Sequence, residues 1–344
     1  MTNLISPIMC SDYPLINDDK EYKPVEMNKN ELVRDQLCAM LSQEESVYPC
    51  LSSVLLKANT VYGSEASKIS ALTETWRRKI CEWSFDVVDH FGFEREVVSI
   101  SFSYFDRFVA LHPSILISQK QYQLVAVTSL YLATKLHGEL DKSTRESLTE
   151  ASQRNVQGKL RLSTFVEISR GLASSRSIEE MERAILHDLS WRLNPPTSAS
   201  FLSRFHQLIP NISSNEVVIT ALFEMSAYLT ELSICFSAIS CNYSPSVIAY
   251  ASLLEAMETI DIVNLPVKDR LHFVSQVAIF NRDLKPDATG VIKVREALYE
   301  LSRETVDVEE ITKTTLNQYP QECHIVSSPS NVTSTLHFSS LQEV

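Results

Sequence analysis

Apolar residues recur at helical spacing through most of the chain. Trp76, Ile80, Trp83 and Val87 fall at i, i+4, i+7 and i+11. This continuous stripe predicts a helix beginning near Thr73 and ending at Gly92, a natural C′ residue. The segment EREVVSISFSYFDRFVAL (94–111) stops before Pro113, and QKQYQLVAVTSLYLATKLHG stops at Gly138. Both are apolar or small nearly all the way round, and helices of that kind have to be enclosed by others. The centre of a bundle is expected here. Another helix is predicted over about 176–190, with an acidic start that suits the positive end of the macrodipole.

The stretch WRLNPPT follows. A double proline cannot continue a helix and Thr197 is a ready N-cap, which places a boundary at 195–196. Helix and short loop then alternate again through SASFLSRFHQLI, NEVVITALFEMSAYLTELS, SPSVIAYASLLEAM, PVKDRLHFVSQVAIF and TGVIKVREALYELSRE. Five helices before the prolines and about five after them suggest an internal duplication. The earliest is a short amphipathic helix around 30–44, with Leu32, Val33, Leu37, Met40 and Leu41 on one face. Residues 1–30 and 306–344 lack a clear helical period and read as a disordered arm and a flexible tail. The expectation is an all-α protein of two tandem helical units, 31–194 and 195–305.

Composition narrows the chemistry. Six glycines in 344 residues never fall in a G-x-G-x-x-G, G-x-x-x-x-G-K or G-x-S-x-G spacing, which argues against nucleotide-binding α/β folds and the nucleophile elbow. A formal charge of −12 makes nucleic acid a poor partner, since duplex binding needs a basic face. The seven cysteines never stand as C-x-x-C, so reduced, mostly buried thiols are expected rather than structural zinc. No signal-peptide pattern or run of 18 apolar residues is visible, and an intracellular protein without a membrane span is expected. Eight histidines offer no H-E-x-x-H, and no Cys/His or carboxylate pair has a recognisable catalytic spacing. No enzyme, cofactor or metal is expected.

Two charges sit inside the most apolar helices. Asp106 is flanked by Tyr104, Phe105 and Phe108, and Arg77 lies beside the tryptophan stripe. Either they pair across two packed helices or each lies at a solvent edge. An unpaired buried charge costs about 3–5 kcal/mol when its partner is removed. Lys135, in the last turn of its helix, reads as C-terminal dipole complementation, and Glu182 as part of a solvated acidic face.

These residues nevertheless stand in a series. WRRKICEW, SYFDRF, YQLVAVTSLYLATKL and EEMERAILHDLSWRLNPPT, from Trp76 to Thr197, resemble the N-terminal cyclin box segment by segment. Arg77, Asp106, Leu124, Lys135 and Glu182 occupy the characteristic positions in order. VRDQLCAMLSQEE and YSPSVIAYASLLEAM are similar to segments of D-type cyclins, so the resemblance extends from about 31 to 303. It implies two tandem five-helix cyclin folds and a regulatory subunit that binds and activates a cyclin-dependent protein kinase in cell-cycle control, located in the nucleus or also in the cytoplasm. It also implies that Lys135 and Glu182 contact the kinase, while Arg77, Asp106 and Leu124 keep the first three helices in register. Trp76, Ile80, Trp83 and Gln123, with Asp86 at an acidic rim, would form a groove for substrates or inhibitors, the alternative being simple core packing. Trp76 stands where the family has methionine, and Lys79 where it has an apolar residue. The other reading of the same fold is an adaptor or transcription-associated protein without kinase activation. Ser6-Pro7 and Ser328-Pro329 are minimal proline-directed phosphorylation sites. Arg34-Asp-Gln-Leu37 fits a loose R-x-x-L degradation pattern that recurs at 145 and 183.

Overall fold

The computed structural model describes residues 29–51, 66–140, 145–146, 161–210 and 216–305, and every regular element among them is helical. The two Ser-Pro sites and nearly all of both arms lie outside the described residues. The first repeat comprises α2 (Ala66–Phe91), α3 (Glu96–Leu111), α4 (Gln119–His137), α5 (Leu162–Ile168) and α6 (Ser175–Asp188). A 3-10 turn, Pro113–Ile117, joins α3 to α4. The second repeat comprises α7 (Ser198–His206), α8 (Glu216–Ile234), α10 (Pro245–Thr259), α11 (Val267–Val277) and α12 (Thr289–Thr305), with a single turn α9 (Ser237–Ser240). Helix α1 (Lys29–Val47) precedes both.

Local chemistry sets most boundaries. Gly92 has φ 67°, which closes α2 at the left-handed position that favours glycine. Thr197 caps α7 in a reciprocal box with Ser200, immediately after the prolines. Helix α6 begins with the same device, Ser174 with Ser177. Its first turn holds no acidic residue, so the expected dipole pairing is replaced by hydroxyl capping. Helix α2 starts at Ala66, earlier than its stripe predicted; Leu72, just ahead of the stripe, is exposed.

Helices α3 and α4 are enclosed as their composition requires, and Val125 to Thr134 are all buried. They centre the first core; α10, buried continuously from Ser246 to Leu254, centres the second. Helix α8 is apolar and long enough to cross a membrane by length and composition, yet 61% of that stretch is buried inside the protein. Chain order would attach α1 to the first repeat, but Val33 and Leu37 belong to the second core, flanked by Met40 and Leu41. Leu32 faces solvent instead of joining them. The leucine of Arg34-Asp-Gln-Leu37 is therefore buried.

Candidate functional site

Lys135 and Glu182 come from different helices and meet at one point. Lys135 sits in the last turn of α4, and Glu182 lies midway along α6. The Lys135 ammonium donates to Glu182 Oε1 at 2.8 Å and stands 5.4 Å from the Tyr131 ring centroid. The lysine side chain is 50% exposed and the glutamate 13%. The hydrogen bond that Lys135 donates to Glu182 raises the lysine pKa, with Tyr131 adding to it, so the group stays cationic at neutral pH. Tyr131 itself packs edge-on against Phe165 of α5, 5.3 Å between centroids, which fixes the platform beneath the ammonium. The product is an exposed cation held still by a shielded carboxylate.

Arg77 and Asp106 do pair, and the geometry is bidentate. Nη2 donates to Oδ2 at 2.9 Å while Nη1 donates to Oδ1. Nε donates to the carbonyl of Ile234 at 2.9 Å, and Nη2 also reaches Ser240 Oγ at 2.9 Å. Burial alone would favour losing the proton, but Asp106 outweighs it and holds the guanidinium firmly charged. The pair thus ties α2 to α3 and, beyond that, to the second repeat through α8 and α9. The resemblance implied register among the first three helices; the contact to a backbone carbonyl 157 positions away carries no sequence signature. Leu124 is partly buried on α4 and packs against the first core.

The stripe read as a docking groove belongs to that core. Trp76, Ile80 and Trp83 are 6%, 4% and 5% exposed, and Gln123 is buried with them. As folded, this face presents almost no apolar surface to a peptide. Among the described residues, neither indole N–H group has a hydrogen-bond partner. Asp86 is half-buried and its carboxyl pKa is raised, by burial first and by neighbouring Asp89 second.

One residue with a clear role escaped the sequence reading. Glu44 of α1 is buried and accepts from the Ser246 backbone N–H at 2.8 Å and from Ser246 Oγ, at the start of α10. Its carboxylate caps a helix N-terminus, where negative charge is favoured. Both partners lie in the two segments that resemble D-type cyclins, but 202 positions separate them. Among the described residues, no group of three or more His, Cys, Asp or Glu side chains is placed to hold a metal ion.

With this geometry established, comparison with known proteins identifies the lineage. Residues 47–194 match the cyclin N-terminal domain and residues 196–289 the cyclin C-terminal domain. The chain belongs to the cyclin family. It is 25% identical over 251 residues to Cyclin-D3-2 of Arabidopsis thaliana, covering 71% of this chain and 56% of that protein. It is 29% identical over 207 residues to G2/mitotic-specific cyclin-B of Patella vulgata, covering 60% and 42%. For G1/S-specific cyclin-D1 of Rattus norvegicus the figures are 22% over 241 residues, 70% and 71%. The chain spans between about two fifths and three fifths of the length of the first relatives it matches. Among solved structures it is similar to a viral cyclin from herpesvirus saimiri, with TM-score 0.45 and 16% identity, covering 74% of this chain and 96% of the viral one. Cyclins are regulatory subunits, not enzymes in themselves.

Proposed function

We propose that this cyclin binds a cyclin-dependent protein kinase and activates it through the face formed by α4 and α6. The reading is supported above all by Lys135, whose half-exposed ammonium is fixed by Glu182. An active kinase needs its own Lys–Glu pair assembled by a regulatory helix, so a partner that holds that helix switches on phosphoryl transfer. The last carbonyls of any helix lack intrahelical N–H donors. An ammonium has three donors, and Glu182 occupies one of them here. The remaining donors are suited to carbonyls at the end of the kinase helix, while the second oxygen of Glu182 is suited to an N–H. Leu136, exposed beside Lys135, adds apolar area at the rim.

The test is co-expression with a panel of cyclin-dependent kinases, followed by co-purification and a histone phosphorylation assay. The wild-type chain should bind and stimulate at least one kinase. The Lys135→Ala/Glu182→Ala double variant, with unchanged helical circular dichroism, should lose both properties. Binding that survives intact in the double variant would refute the site. A folded wild-type chain that binds no kinase in the panel would refute the activator role and favour an adaptor.

A further inference from the structure

The joint between the repeats holds two thiols that kinase binding does not use. Cys81 lies on α2 one helical turn beyond Arg77, and Cys235 directly follows Ile234, whose carbonyl accepts from Arg77. The two sulfurs are 2.9 Å apart across 154 positions of sequence. Cys81 is fully buried and Cys235 nearly so, and both belong to the first core. Sulfurs placed this way need to close by less than about 1 Å to reach a disulfide bond length of about 2.05 Å. We infer that Cys81 and Cys235 are a preassembled dithiol, which hydrogen peroxide converts to a disulfide joining the two repeats.

The chemistry balances within the site. One thiol, as thiolate, attacks a peroxide oxygen, breaking the O–O bond to give a sulfenic acid and one water. The second sulfur attacks the sulfenic sulfur and displaces a second water. Two electrons pass from the sulfurs to the peroxide, and both thiol protons end in water. Burial pushes the Cys81 thiol well up, with the hydrogen bond to Cys235 adding to it and the Arg77 guanidinium partly opposing. The reaction is accordingly slow at neutral pH and speeds up as the solution becomes alkaline. Cys38 and Cys50, which are exposed, react first. The new bond lies beside the contacts from Arg77 to Ile234 and Ser240, so it would close the same seam covalently.

The experiment treats the purified full chain with hydrogen peroxide at neutral and mildly alkaline pH. Free thiols are then blocked with N-ethylmaleimide and the unreduced digest is mapped by mass spectrometry. The expected result is a linked species joining the Cys81 and Cys235 peptides, two hydrogens lighter than their sum. It should form faster at the higher pH, disappear on reduction with dithiothreitol, and persist in a Cys38→Ser/Cys50→Ser variant. If that variant folds poorly, the wild-type map decides alone. Cys81 and Cys235 recovered as free thiols while Cys38 and Cys50 are oxidised would overturn the inference. So would either residue linked mainly to another cysteine.

Discussion

The two repeats build the same core and dress it with opposite charges. The stretch 128–135 of α4 aligns with 251–258 of α10, so that Ser129, Leu130 and Ala133 match Ser252, Leu253 and Ala256. All six are fully buried. Both serine hydroxyls are buried and have no partner among the described residues. On the fifth helices, buried Ile178 and Ile185 correspond to buried Val291 and Leu298. The position of Lys135 is then taken by Glu258, and that of Glu182 by Arg295. Arg295 bonds Glu255 at 3.1 Å and lies 3.5 Å from Glu258, so the pair recurs with its signs exchanged. In the first repeat the exposed member is a cation; in the second it is Glu258, 64% exposed. Packing is what the two repeats share, and the donor end of the proposed kinase contact lies in the first repeat.

The largest expected effect sharpens that contrast in stability. Arg77 is buried and bonded to both repeats, so Arg77→Ala strands Asp106 and should cost about 3–5 kcal/mol in chemical denaturation. Arg295→Ala, at the partly exposed pair of the second repeat, should cost about 1 kcal/mol. Equal losses would mean that the joint between repeats has been misplaced. A smaller effect concerns pH. Burial raises the Glu44 carboxyl from its usual 4.5 to about 7, against the opposing bonds from Ser246. The folded chain therefore holds that proton more tightly than the unfolded chain between these values. Stability should decline as pH rises through the window and level off above about 7, by an amount on the order of 3 kcal/mol. Glu231 of α8, raised to about 7 mainly by burial, contributes in the same direction. Glu44→Gln should flatten part of the slope in thermal melts across that range. The smallest effect is on Lys135 itself: Lys135→Ala should change folding stability by less than about 1 kcal/mol, because the pair is largely exposed on the lysine side.

What could be read from the sequence follows from what leaves a local mark. Gly92, Pro113, Gly138 and the prolines at 195 and 196 punctuate the chain, and the enclosed character of α3 and α4 shows in their composition. Helix α5 escaped notice because seven residues with a single buried side chain, Phe165, cannot display a period. The early start of α2 was hidden because the apolar stripe in its sequence begins only at Trp76. The Arg77–Asp106 pair was legible because two charges in apolar surroundings demand a partner. Its further bonds to Ile234 and Ser240 were not, since any residue supplies a carbonyl and most helices supply a hydroxyl. The clasp of Glu44 on Ser246 likewise depends on a fold that brings α1 to the second repeat. The tryptophan stripe shows the converse limit: helical spacing of Trp76, Ile80 and Trp83 fits an open groove and a packed core equally well, and that all three are buried is visible only in the fold.

The most direct test of the central claim compares the two quasi-equivalent charges in one assay. The affinity of the activated kinase partner would be measured by titration calorimetry for the wild type, Lys135→Ala and Glu258→Ala. Lys135→Ala should weaken binding at least about tenfold, roughly 1.4 kcal/mol, while Glu258→Ala stays within about twofold of the wild type. Equal affinity for all three proteins, or a loss confined to Glu258→Ala, would contradict the assignment of the kinase contact to the first repeat.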